Sequence, residues 1–230
     1  MREALRAQRP IDRVLIARGA GGVRLQEIVS LCREREVPVR FEPREALDRA
    51  AGGGAHHQGV VAFGAAHDYA NLDDVMPGAK LLVILDGVED PHNLGAVIRT
   101  THAAGGSAVL VPERRAAGLT ATVAKAAAGA LEHLPIARIG NVAQCLERLK
   151  KAGFWIYGVD ERGDLDYTTV DYSLPTVFVL GGEGHGLHQN VRKHCDGLIC
   201  IPMTGEISSL NVSVAAGVVL FEWRRRVTAS

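Results

Sequence analysis

The sequence predicts an α/β protein in two parts: a small N-terminal α/β domain, then a larger α/β domain built on a parallel sheet. Three observations predict it. Short apolar runs alternate with segments of helical spacing along the chain. In the C-terminal part those runs are nearly continuous, as in KLLVIL, SAVLV and TVFVL, the pattern of strands covered on both faces. Between the parts lies HDYANLDDVMPGA (67–79), polar, acidic and closed by Pro-Gly, which reads as a linker. The expected divisions are therefore 1–66, 67–79 and 80–230.

In the first part IDRVLIA (11–17) reads as a strand. Leu25, Ile28, Val29 and Cys32 fall at helical spacing, which predicts a helix over 24–36 with one apolar face. VPVRF is a second strand, PREALDRA a short helix opened by Pro43, and GVVAF (59–63) a third strand. The glycines at 52–54 form a loop that runs into His56-His57-Gln58. In the second part strands are expected at 80–85, 107–111, 155–159, 176–180 and 197–201. Helices are expected at about 94–104, 120–131, 141–152, 187–194 and 211–225.

Composition narrows the class. The 230 residues carry 26 Lys+Arg against 26 Asp+Glu, and 47% are hydrophobic, which excludes a disordered chain, a collagen or a coiled coil. No apolar run approaches the ~18 residues of a membrane span, and MREALRAQRPID lacks the apolar core of a secretory signal. Cys32, Cys145, Cys195 and Cys200 are scattered without a CxxC pair, which argues against a disulfide scaffold or a zinc site and suits a reducing cytoplasm. Charge is unevenly spread: residues 1–66 hold 11 Arg, no Lys and 8 acids. An arginine-only excess suits a phosphate-bearing partner, although an ordinary solvated surface reads the same way.

Ligands of parallel α/β sheets sit beyond the carboxyl ends of the strands, and three segments there are unusual. In LDGVEDPHNLGAVIRTTHAAG (85–105), Asp86, Glu89, Asp90, His92 and Asn93 crowd ahead of a helix read as starting at Leu94. Asn93 is then either a functional group or the N-cap, and Arg99 either a functional group or a solvated helix residue. A six-residue step is ~120° out of register on a helix, so the two converge only if Asn93 lies in the preceding turn. In VLGGEGHGL (179–187) a strand enters a glycine-rich turn carrying Glu183, where a ligand can approach bare backbone amides. The acid that a dinucleotide fold places at the end of the next strand is missing, and no Gly-Lys-Ser/Thr follows to make a P-loop. In IPMTGEISSLNVSVAAG (201–217) a polar loop with Ser208, Ser209, Leu210 and Asn211 precedes a helix of small and apolar residues.

Together, in order and spacing, these three segments resemble the SpoU branch of the knotted SPOUT RNA methyltransferases, most closely the bacterial 23S ribosomal RNA guanosine-2′-O-methyltransferases. The resemblance covers about residues 80–226, and 112–135 is similar to the ribosomal RNA subgroup. The first 66 residues look like that subgroup's RNA-binding domain, with HHQGVVAF (56–63) as the landmark. Family members reach a helix like REALRA after a Gly-x-x-x-Val stretch, and here the sequence starts inside it.

The resemblance implies S-adenosylmethionine as methyl donor, a ribose 2′-hydroxyl of 23S RNA or of an assembling large subunit as acceptor, and no metal. It also implies a deep trefoil knot and a homodimer through the knot region. Carried over residue by residue, it implies Asn93, Arg99, Glu183, Ser209 and Asn211 as catalytic groups. Gly181, Gly182, Ile201, Met203, Ser209 and Leu210 would contact the cofactor. Arg99 matches the family's catalytic arginine; because guanidinium keeps its proton, its expected role is to bind the phosphate beside the target ribose and polarise the hydroxyl. His92 and His185 are read as spectators, His56-His57 equally as RNA contacts or loop filler, and Cys195 and Cys200 as core thiols. A transfer RNA ribose methyltransferase and a silent RNA-binding or assembly factor on the same fold are the alternatives.

Overall fold

Residues 1–6, 11–51, 57–64, 67–182, 186–206 and 209–228 are described by a computed structural model, and the chain divides between His67 and Asp68 into two units. In the first unit α1 (Arg2–Arg6) and β1 (Ile11–Ala17) are followed by α2 (Val23–Glu34), β2 (Val39–Glu42), α3 (Arg44–Ala50) and β3 (Val60–Gly64). The sheet order is β2-β1-β3, with β2 parallel and β3 antiparallel to β1. The parallel pair needs a crossover, which α2 supplies. Val14 and Ile16, alternate residues of β1, are fully buried and pack with Leu5, Ile28 and Cys32 from the helices. Arg2 and Arg6 both pair with Glu27, and the hydrogen bond from Arg2 holds that carboxyl below its ordinary range.

The second unit runs α4 (Leu72–Val75), β4 (Leu81–Asp86), α5 (Pro91–Ala104), β5 (Ala108–Pro112), α6 (Ala121–Ala127), β6 (Ile136–Ile139) and α7 (Val142–Lys151). It continues through β7 (Trp155–Val159), β8 (Leu165–Asp166), β9 (Thr176–Gly181), α8 (Gln189–Arg192), β10 (Gly197–Cys200) and α9 (Val212–Thr228). All seven strands pair in parallel, in the order β6-β5-β4-β9-β7-β10-β8. Every residue of β4 is buried. Leu81, Val83 and Leu85 join the cluster that contains α5 and α9, whereas Leu82 and Ile84 join the one with α7 and α8. A strand covered on both faces accounts for the continuous apolar runs.

Several elements differ from the sequence expectation. Residues 68–79, read as linker, are folded: Ala70 pairs with Ala137, and Leu72 and Ala79 are buried against β4. Two buried side chains hold this polar segment on the sheet edge, and its remaining polarity faces solvent. The edge strands β6 and β8 lie outside the expected set, since IARI is interrupted by Arg138 and β8 is two residues long. The helix expected over 120–131 stops at Ala127; Ala128 takes a left-handed φ of 51° and a short 3-10 turn follows at Ala130–Glu132. The Cβ of an alanine at Gly95 would meet the Ala126 Cβ at 2.4 Å, so α5 and α6 touch at that glycine.

Candidate functional site

From β4 the chain steps outward to β5 and β6, crosses back to β7, and later slots β9 between β4 and β7. Such a reversal of strand order leaves a crevice beyond the carboxyl ends. A cleft opens there among the ends of β7, β9 and β10 and the start of α9. Gly181, Gly182, Ile201, Met203, Ser209 and Leu210, the six residues expected to contact a cofactor, all line it. Its wall at β9 is bare backbone of necessity. A Cβ on Gly181 would stand 2.2 Å from the Gly186 carbonyl carbon, and one on Gly182 would stand 2.1 Å from the Gly87 oxygen.

Two expected polar residues meet beside this cleft. Asn211 Nδ2 donates to Asn93 Oδ1 at 3.1 Å, across 118 positions of sequence. The other end of the Asn211 amide accepts from the Ser213 backbone and hydroxyl, so the side chain also caps α9. Asn93 itself does not cap α5. Asp90 does, accepting from the His92 amide with Pro91 in the first turn, which places Asn93 inside the helix, where it is buried. Arg99 therefore lies about 120° round α5 from Asn93, and it is exposed. Convergence of these two residues requires Asn93 to lie ahead of the helix, and that condition is not met. His92 is exposed and His57 pairs with Asp48 at 2.9 Å. Glu183, His185, Ser208 and His56 lie outside the described residues.

Residues absent from the expected set also shape the cleft. Asp160, just past β7, lines it with Arg192; Asp160 Oδ1 accepts from the Arg162 amide and Oδ2 pairs with Arg192 Nε at 3.5 Å. The strand-end rule applied to WIYGVD would have found Asp160. Asp86, in sequence one of a polar crowd, anchors the glycine loop. Its carboxylate accepts from the His188 amide at 2.9 Å and pairs with His188 Nδ1 at 2.9 Å, while its carbonyl accepts from the Gly182 amide at 2.8 Å. Burial pushes the Cys195 thiol up to about 12 and the Cys145 thiol up to about 11, so neither is a thiolate nucleophile at neutral pH.

Residues 80–221 match the model of the SpoU rRNA methylase family, and residues 1–70 match that of an RNA 2′-O ribose methyltransferase substrate-binding domain. The chain is 44% identical to the 23S rRNA (guanosine-2′-O-)-methyltransferase RlmB of Xylella fastidiosa, over 94% of this chain and 88% of that protein. It is 40% identical to the TrmH-family protein YacO of Bacillus subtilis, over 97% of this chain and 92% of that one. Among solved structures, an AdoMet-bound rRNA methyltransferase from Sinorhizobium meliloti superposes with a TM-score of 0.82 at 28% identity, covering 98% of this chain and 84% of that one.

Proposed function

The chain belongs to the SpoU rRNA methylase family, and we propose that it transfers a methyl group from S-adenosylmethionine to a ribose 2′-hydroxyl in structured RNA, the target being a guanosine of 23S ribosomal RNA. The observation that carries this reading is the cleft at the end of β9, where the glycine wall excludes side chains and the six residues matched to the family's cofactor contacts converge. The 44% identity to a 23S rRNA guanosine methyltransferase over nearly the whole chain supports the substrate. The N-terminal unit, which matches a substrate-binding domain, would hold the RNA.

The cleft fits the cofactor. Apolar Val159, Leu180, Ile201 and Leu210 suit an adenosyl group, and the glycine amides and Asp160 offer polar contacts to its ribose and amino-acid ends. When bound, the cofactor supplies an electrophilic methyl group on a sulfonium centre. The protein's part is to fix that group, exclude water and align the acceptor oxygen, and effective molarities for well-oriented groups reach roughly 10⁵–10⁸ M. The Asn93–Asn211 pair ties the first turn of α5 to the start of α9, so the walls bearing the acceptor and the donor keep their spacing. Arg99 binds the phosphate beside the target ribose, and its fixed charge polarises the hydroxyl oxygen that attacks the methyl group. Glu183 and Ser209 complete the set as orienting groups.

The test is transfer of labelled methyl from S-adenosylmethionine to two transcripts, a peptidyl-transferase-region fragment of 23S RNA and unmodified transfer RNA. Label in the 23S fragment is the expected result. Label in transfer RNA alone would keep the chemistry and overturn the substrate, and label in neither, without cofactor binding, would overturn the enzyme.

A homodimer through the C-terminal region and a trefoil knot there are part of the same proposal. Val214 and Phe221, each 51% exposed, are seven residues apart on one face of α9. Such apolar exposure suits burial against a second copy. Phe221→Glu is expected to shift the sedimentation mass from dimer to monomer; an unchanged mass would place the contact elsewhere.

A further inference from the structure

We propose that a second cleft, lined by Arg114, Arg115, Asn141, His188 and the buried Asp86, holds a backbone phosphate of the RNA flanking the target nucleotide; this rests on the function proposed above. The cleft opens beyond the carboxyl ends of β4, β5 and β6, on the opposite side of the β4–β9 junction from the cofactor cleft. Arg114 and Arg115 come from the loop after β5, Asn141 stands at the start of α7, and His188 follows the glycine loop.

Its charge is one-sided. The charged and titratable groups in its lining are Asp86, Arg114, Arg115 and His188. The only carboxylate among the described lining residues, Asp86, is already engaged by both the backbone amide and the ring of His188. Among the described lining residues, no second carboxylate faces the two guanidinium groups. Arg115 Nη1 donates to His188 Nε2 at 3.4 Å, and His188 Nδ1 pairs with Asp86 at 2.9 Å, so the imidazole ties Arg115 to the end of β4 at the rim of the cleft. Arg115 is held there at a left-handed φ of 57°, a conformation disfavoured for a side chain of this size. Guanidinium groups lining one cleft suit a tetrahedral oxyanion, which each can grip in a fork.

The junction also explains why this anion would belong to the substrate. Gly87, in the lining of the second cleft, touches Gly182, in the lining of the first. An RNA strand whose ribose is presented to the cofactor cleft has phosphates on either side of that ribose, and this cleft is the neighbouring cationic recess at the same sheet edge.

Filter binding of the 23S fragment over a series of KCl concentrations tests the proposal without turnover. On single-stranded RNA, each phosphate that the protein no longer neutralises lowers the slope of log K against log salt by about 0.7. Arg114→Ala/Arg115→Ala should flatten the slope by about 0.7, since the two guanidinium groups engage the same phosphate. S-adenosylmethionine affinity and melting temperature should not change, and Arg114→Lys/Arg115→Lys should restore the slope. An unchanged slope and affinity in the double alanine variant would overturn the proposal. So would binding of inorganic phosphate, used as the competing probe and lost in the double alanine variant, that leaves RNA affinity unaltered, since the cleft would then take a free anion only. Because binding is read directly, absence of methyl transfer would sink the proposed function and leave the slope still deciding the cleft.

Discussion

Arg99→Ala should lower methyl transfer by roughly 10²- to 10³-fold, the usual loss when one preorganised donor is removed from a developing oxyanion, while S-adenosylmethionine binds as before. The cofactor cleft is built from the ends of β7, β9 and β10 and the start of α9, and Arg99 is not in its lining. It stands exposed on α5, turned away from the buried Asn93. On the proposed function, a side chain so placed would meet the RNA rather than the donor. Arg99→Lys keeps the charge and loses the planar fork, so measurable activity should survive. Complete loss in the lysine variant, with RNA binding intact, would mean that the guanidinium handles the hydroxyl proton itself. Single-turnover rates and cofactor titrations on both variants separate these cases.

Gly182→Ala should raise the dissociation constant for S-adenosylmethionine by roughly ten- to a hundredfold. The added Cβ would stand 2.1 Å from the Gly87 oxygen and 2.7 Å from its carbonyl carbon. These are backbone atoms, which cannot swing aside as a flexible side chain does. The end of β9 must then move away from β4, with which Gly181 is paired at Asp86. Overpacking of this kind costs about 1–3 kcal/mol, and each 1.4 kcal/mol is about tenfold in affinity. Gly21→Ala is the control, because nothing lies within 4 Å of the added carbon there. Calorimetric titration with the cofactor reads the difference; equal affinities for the two variants would remove the glycine wall from the binding site.

The parts of the fold legible in the sequence are those whose pattern reports local burial. Strands β4, β5 and β9 are buried on both faces and read as continuous apolar runs. What escapes a sequence reading depends on a partner distant along the chain. Residues 68–79 are polar because one side faces water, and only their packing into the cluster with β4 and β6 shows why Leu72 and Ala79 are apolar. The start of α5 lies three residues earlier than expected, because the Asp-Pro at 90–91 is as good a helix opening as Asn93 and periodicity does not rank them. That small shift matters for function, since it turns Arg99 away from Asn93. At the site, the six motif positions expected to contact a cofactor line one cleft. Asp86 and Asp160 escape because their roles come from contacts with His188 and Arg192, in segments that follow more than 30 residues later.

The methyl group is expected on a ribose oxygen, and alkaline hydrolysis addresses this directly. RNA labelled in the methyl group by the protein is hydrolysed in alkali and the products are separated by size. A 2′-O-methyl group removes the nucleophile that cleaves the adjoining phosphodiester, so the label is expected to emerge in an alkali-resistant dinucleotide. Label recovered in mononucleotides would place the methyl group on a base and contradict it.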